Sequence, residues 1–192
     1  REARRGRTGS SPSNAKFIMV IWLIGLSGAG KTTIGKEVQK LWSLNGRKAV
    51  LVDGDSFREI MGDDLGHSMK DRRKNAGRIS RFCKLLDDQR IDVVCCILSI
   101  FEESREWNRQ NLQEYTEVFI DVPVEELLKR DSKGLYQKAL DGKIKNVVGI
   151  DIPFEKPKAP DLIIQNHGAN ASIDHFAKKI IETADSRRAD YR

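Results

Sequence analysis

The segment Gly25-Leu26-Ser27-Gly28-Ala29-Gly30-Lys31-Thr32 constrains the fold more than any other stretch of the chain. It has the pattern G-x-x-x-x-G-K-[ST], in which glycines let the backbone curl around an anion with its N–H groups turned inward. Such a loop needs a strand to deliver it and a helix to leave it, so that the helix N-terminus adds the positive end of its dipole to the cradle. Both flanks are present. Phe17 to Ile24 is an unbroken apolar run with β-branched members, as expected of a strand buried on both faces of a parallel sheet. Lys31 to Leu44 carries Ile34, Val38, Leu41 and Trp42 at helical spacing and stops at Asn45-Gly46. Within the loop, Lys31 is placed to reach the outer phosphates of a nucleotide and Thr32 to ligate a magnesium ion.

Four further strands are expected, at Lys48–Val52, Ile91–Ile100, Val118–Val122 and Leu162–Ile164. Helices are expected at Asn75–Gln89, from Val124 to Arg130, and at Ser172–Ala184. Strands alternating with helices imply one parallel sheet covered on both faces, a three-layer α/β fold with five strands. Asp131 to Pro160 is rich in Lys, Gly, Asp and Pro and weakly periodic. An irregular stretch of that length in a compact domain reads as a functional segment such as a lid.

The chain has 192 residues, enough for one domain. Residues 1–14 are Arg/Ser/Gly-rich and read as a flexible N-terminal segment, tag or linker, leaving 15–192 as the domain. The net charge of +6 suits anionic small molecules. No aromatic-interleaved basic patch points to nucleic acid, and no apolar run approaches the roughly 20 residues that span a bilayer. Cys83, Cys95 and Cys96 show neither disulfide pairing nor zinc-ligand spacing and fit buried thiols of a reducing, cytoplasmic compartment. Asp53 and Asp55 follow the second strand, where loops face the phosphates, and either can serve Mg²⁺ or take a hydroxyl proton.

These landmarks, with Leu65 to Asn75, Lys133 to Ala139 and Gly149 to Pro157, resemble the adenylylsulfate (APS) kinase family from about Phe17 to Asn166. The resemblance implies a P-loop kinase fold and transfer of the γ-phosphate of MgATP to the ribose 3′-hydroxyl of adenylylsulfate. ATP would lie on Gly25, Ser27, Gly28, Ala29, Gly30, Lys31, Thr32 and Thr33, with Arg130 near its base. Thr32 and Asp55 would serve the metal. Lys31, Asp55, Ser99 and Lys133 would carry the transfer, with Asp55 beside the acceptor hydroxyl. Asp53, Arg58, His67, Arg72, Asn75, Ile100, Phe101, Leu135, Lys138, Val147, Gly149 and Ile150 would complete the acceptor site. Ser99 matches a serine described in the family as a phosphoserine intermediate. Direct transfer is favoured, because phosphoryl transfer needs alignment and charge neutralisation more than covalent help. Family members are often homodimers, which the resemblance carries over as a homodimer here.

The sequence departs from the family at the acceptor. His67 and Val147 stand where two phenylalanines normally stack on the adenine, Ile100 replaces a proline, and Glu102-Glu103 add negative charge. Ser99-Ile100-Phe101, Trp107 to Gln110 and Asn146 to Asp151 are also similar to the cytidine diphosphoramidate kinase branch, whose pyrimidine needs less stacking surface. Adenylylsulfate kinase, a kinase for such a related nucleotide, and a nucleotide-binding regulator without transfer are therefore the three readings. Intact Lys31, Thr32 and Asp55 argue against the last.

Overall fold

In the computed structural model, which describes residues 18–131, 133–168 and 172–190, five parallel strands form one sheet in the order β2-β3-β1-β4-β5. They are β1 (Val20–Ile24), β2 (Ala49–Asp53), β3 (Asp92–Ile97), β4 (Tyr115–Asp121) and β5 (Leu162–Gln165). The expected flexible segment 1–14 lies outside the described residues.

The central strand shows why Val20–Ile24 had to be apolar throughout. All five residues of β1 are buried, with β3 on one side (Ile21 opposite Val94) and β4 on the other (Ile21 opposite Thr116). Successive side chains enter opposite faces of the sheet. Ile21 and Leu23 join a core with Ile34, Val38 and Trp42 of α1 (Lys31–Leu44) and with Phe176, Ala177 and Ile180 of α7 (Ile173–Asp190). Val20, Trp22 and Ile24 join a second core with Phe57 and with Ile79, Cys83 and Leu86 of α3 (Met69–Asp88). The three layers expected from the sequence are thus present. All three cysteines are buried and free.

Three helices exceed the sequence expectation. The first is α2 (Gly54–Ile60), seeded by Asp53 as its N-cap, whose carboxylate accepts from the N–H groups of Asp55 and Ser56. The second, α4 (Glu102–Asn111), has charged and polar residues at its buried positions. The third, α6 (Leu135–Leu140), lies inside the stretch read as irregular; α5 (Val124–Lys129) precedes it. Two boundaries also move. Helix α3 starts at Met69 rather than Asn75, because the Ser68 hydroxyl caps the Asp71 N–H and donates back to the Asp71 carboxylate. Strand β3 ends at Ile97 rather than Ile100, because the chain turns at Ser99 with φ of 51°.

The chain leaves β1 toward β2 but leaves β3 toward β4, so the crevice between these neighbouring strands lies where connections part. The glycine loop follows β1, Asp53 ends β2, and Ser99 follows β3. All three cluster at the carboxyl end of the sheet.

Gly35 brings α1 against the sheet, and a Cβ there would lie 2.5 Å from Cys96 Sγ and 3.2 Å from Val94 and Leu51 side-chain carbons. Gly35→Ala is expected to lower unfolding free energy in denaturant by about 1–2 kcal/mol, the overpacking cost less the helix-propensity gain. Combined with Cys96→Ala, the loss should be smaller than the sum of the two single changes.

Candidate active site

The glycine loop is held open by bonds to its carbonyls. Lys31 Nζ donates to Leu26 O at 2.8 Å, the Tyr136 hydroxyl to Ser27 O at 2.7 Å, and Asn166 Nδ2 to Ala29 O at 2.8 Å. With these oxygens engaged, and the Ala29 N–H turned back onto Leu26 O at 3.2 Å, the neighbouring loop N–H groups can face an anion. Two positions can only be glycine. Gly30 has φ of 92° and leaves no room for a Cβ, which would meet Asn166 Nδ2 at 2.5 Å; Gly25 has Ile120 O at 2.8 Å from the same point. Ser27, Gly28 (φ 76°) and Ala29 complete the turn, and Thr32 and Thr33 open α1.

Burial lowers the Lys31 ammonium to a pKa of about 8, despite the nearby Cys96, Asp53 and Asp55, which favour its charged form. The Thr32 hydroxyl donates to Asp53 Oδ2 at 2.6 Å. The carboxylate that meets Thr32 is therefore Asp53, whereas the sequence expectation paired Thr32 with Asp55. Asp55 is 86% exposed, its Oδ2 lying 3.9 Å from Lys133 Nζ of the stretch read as a lid. A hydroxyl and a carboxylate are hard oxygen donors of the kind Mg²⁺ takes together with substrate phosphates and water. Among the described residues, no group of three His, Cys, Asp or Glu side chains forms a metal cage of its own.

Asp55 also opens a pocket of about 100 Å³ lined by Arg58, His67, Arg72, Asn75, Ser99, Ile100 and Phe101. Seven residues expected at the acceptor thus meet around Asp55. The two arginines shape its mouth: Arg58 donates to the carbonyls of Leu65 and Gly66, and Arg72 to those of His67 and Asn146. Desolvation, then Arg72 and Arg58, hold the His67 imidazole below its ordinary pKa, so it faces the pocket uncharged at neutral pH. Asn75 is buried, and its Oδ1 has no partner among the described residues. A buried acceptor in that state calls for a donor from outside the chain.

Other expected residues lie elsewhere. Val147 is buried in the core rather than lining the acceptor pocket. The Asp151 carboxylate accepts from the N–H groups of Asn146 and Val147, folding the loop and turning Val147 inward. Gly149 and Ile150 line a separate cavity of about 280 Å³, with Leu26, Phe119, Phe154 and Lys156, away from Asp55. Leu135 is half-buried on α6 and Lys138 is exposed, whereas Lys133, also exposed, stays beside Asp55. Arg130 donates to Asn166 O at 2.8 Å.

Sequence reasoning missed Tyr136 and Asn166. Tyr136 sits within the Lys133–Ala139 block, but nothing local marks its hydroxyl as a partner of Ser27. Asn166 stands just past β5, with no pattern around it.

The family description "Adenylylsulphate kinase" matches residues 18–165. The chain is 44% identical over 157 residues to a cytidine diphosphoramidate kinase of Campylobacter jejuni, covering 79% of this chain and 88% of that protein. It is 40% identical over 149 residues to an adenylyl-sulfate kinase of Clostridium acetobutylicum, covering 77% and 74%. The structure superposes with a TM-score of 0.81 on the Mycobacterium tuberculosis APS kinase CysC in complex with AMPPNP and APS, at 35% identity, covering 88% of this chain and 98% of that one.

A triphosphate needs the Lys31 ammonium, so ATP binding and protonation are linked. Below pH 8 Lys31 is already charged and affinity should be flat. Above it the free protein must take up a proton, and ATP affinity should fall by about tenfold per pH unit. Titration calorimetry across this range checks it; a flat affinity would exclude Lys31 as the titrating contact.

Proposed function

The chain belongs to the adenylylsulphate kinase family, and from that membership we propose that it transfers the γ-phosphate of ATP to a ribose hydroxyl of a nucleotide seated against Asp55. The observation that carries this reading is continuity: Asp53 holds Thr32 of the cradle, and two residues on Asp55 opens the arginine-lined pocket. Donor and acceptor are thereby set on either side of one short turn.

The loop amides and Lys31 would grip the β- and γ-phosphates. Thr32 and Asp53 would hold Mg²⁺, whose chemistry is to neutralise charge on the phosphoryl oxygens. The acceptor oxygen attacks phosphorus as the bond to the β-phosphate oxygen breaks, and ADP leaves. Asp55 orients the hydroxyl and takes its proton late in the transfer. Lys133, beside Asp55, adds positive charge over the phosphates, and Arg58 and Arg72 hold the acceptor's anionic group. Ser99 stays a contact: its hydroxyl accepts from Trp22 Nε1 at 3.0 Å.

Adenylylsulfate is the first acceptor, since Arg58, Arg72 and Asn75 all face the pocket as the resemblance requires. A second reading, cytidine diphosphoramidate, is favoured by one observation. Val147 is withdrawn into the core, so of the two family stacking positions only His67 offers a ring, and an aromatic stack is worth about 1–3 kcal/mol. A pyrimidine loses less by this.

Side-by-side kinetics with both acceptors decide between them. Transfer to neither overturns the proposal. Because Val147→Phe would overpack a buried site, His67→Phe is the informative single change; with adenylylsulfate as substrate its KM should fall by about tenfold, within the stacking scale. Asp55→Asn should cut turnover by about 10²–10⁴ while ATP affinity stays within a few-fold. Full activity in that variant would remove Asp55 from the mechanism.

A further inference from the structure

Behind the acceptor pocket, between α4 and β4, lies a cluster of charged side chains that the transfer itself does not use. Arg105 is 2% exposed. One Nη donates to the carbonyl of Ser99, the other to the carboxylate of Glu102, and Nε lies 3.5 Å from Glu117 Oε1. Arg109 bridges Glu102 and Glu117 from the other side, at 3.0 and 2.7 Å. Burying a guanidinium with two carboxylates is costly unless geometry repays it. Here the residue it reaches is Ser99, whose φ of 51° is unfavourable for a residue with a side chain.

The turn from Ser99 to Phe101 is a wall of the acceptor pocket. It is held on its outer side as well: Arg73 of α3 lies 4.4 Å above the Phe101 ring and pairs with Glu103. Glu102 and Glu103, the added acids that set this chain apart from the family pattern, are thus both engaged by arginines. With Ile100 in place of a ring-locked residue, the backbone here has no local stiffness of its own.

We propose that Arg105 is a positioning residue for the acceptor, holding the Ser99 carbonyl so that Ser99 and Phe101 keep the shape the acceptor binds. The inference rests on the transfer reading above, but its structural half is read without turnover. The Trp22 indole N–H donates to Ser99 Oγ, so its proton–nitrogen NMR cross-peak reports on the turn. Trp42 Nε1 has no such partner among the described residues, and Ser99→Ala picks out the Trp22 peak from the three indole signals of Trp22, Trp42 and Trp107.

In Arg105→Lys the Trp22 peak should move in the direction it moves in Ser99→Ala, while the Trp42 peak stays. The acceptor KM should rise by about tenfold or more, the scale of a lost charged hydrogen bond, with the KM for ATP unchanged within about twofold. Glu102→Gln, which removes only a partly exposed partner, should produce the same pattern at smaller size and serves if Arg105→Lys does not fold. An unmoved Trp22 peak in a folded variant, or equal rises in both KM values, would overturn the proposal. If wild-type protein phosphorylates neither acceptor, the transfer reading fails while the cross-peak still decides whether Arg105 shapes the turn.

Discussion

The grip on the glycine loop's carbonyl oxygens is the interaction on which the rest depends. A loop can present inward N–H groups to an anion only if its oxygens are satisfied on the outside, and three side chains from three places do this. Lys31 comes from the helix the loop starts, Asn166 from just past β5, and Tyr136 from α6. The sheet has to assemble before these partners meet. The cradle is therefore a property of the whole fold, although its sequence pattern is local.

The sheet topology then separates the two halves of the site. The donor half is built from backbone and a few short-range bonds, with Gly25 and Gly30 fixed by lack of space. The acceptor half is built from side chains on α2, α3 and the turn after β3, and its arginines spend their hydrogen bonds on the carbonyls of neighbouring loops. The first half suits a common triphosphate. The second carries His67 in its lining, and there this chain differs most from the family pattern.

Much of this was legible in the sequence, for identifiable reasons. The central strand is buried on both faces and so reads as a continuous apolar run, and α1 and the core half of α3 show apolar spacing. Helix α4 escaped because its buried positions carry Arg105 and Asn108, and hydrophobic periodicity is blind to a helix that packs through charge. The start of α3 was marked only by Ser68 and Asp71, a capping pair outside any apolar pattern. Arg58, His67, Arg72, Asn75, Ser99, Ile100 and Phe101, read as one group, met at one pocket beside Asp55. Val147, Gly149 and Ile150 did not, because Asp151 closes its own loop. Partners such as Tyr136 with Ser27, 109 positions apart, leave no trace in spacing.

The Tyr136 hydroxyl has one more consequence. It ties a short helix of the covering segment to the cage that grasps the nucleotide tail. Any swing of that helix wide enough to part the two also frees the Ser27 oxygen to rotate and spoils the ring of amides. Displacing that helix and loosening the glycine loop would then be a single mechanical event.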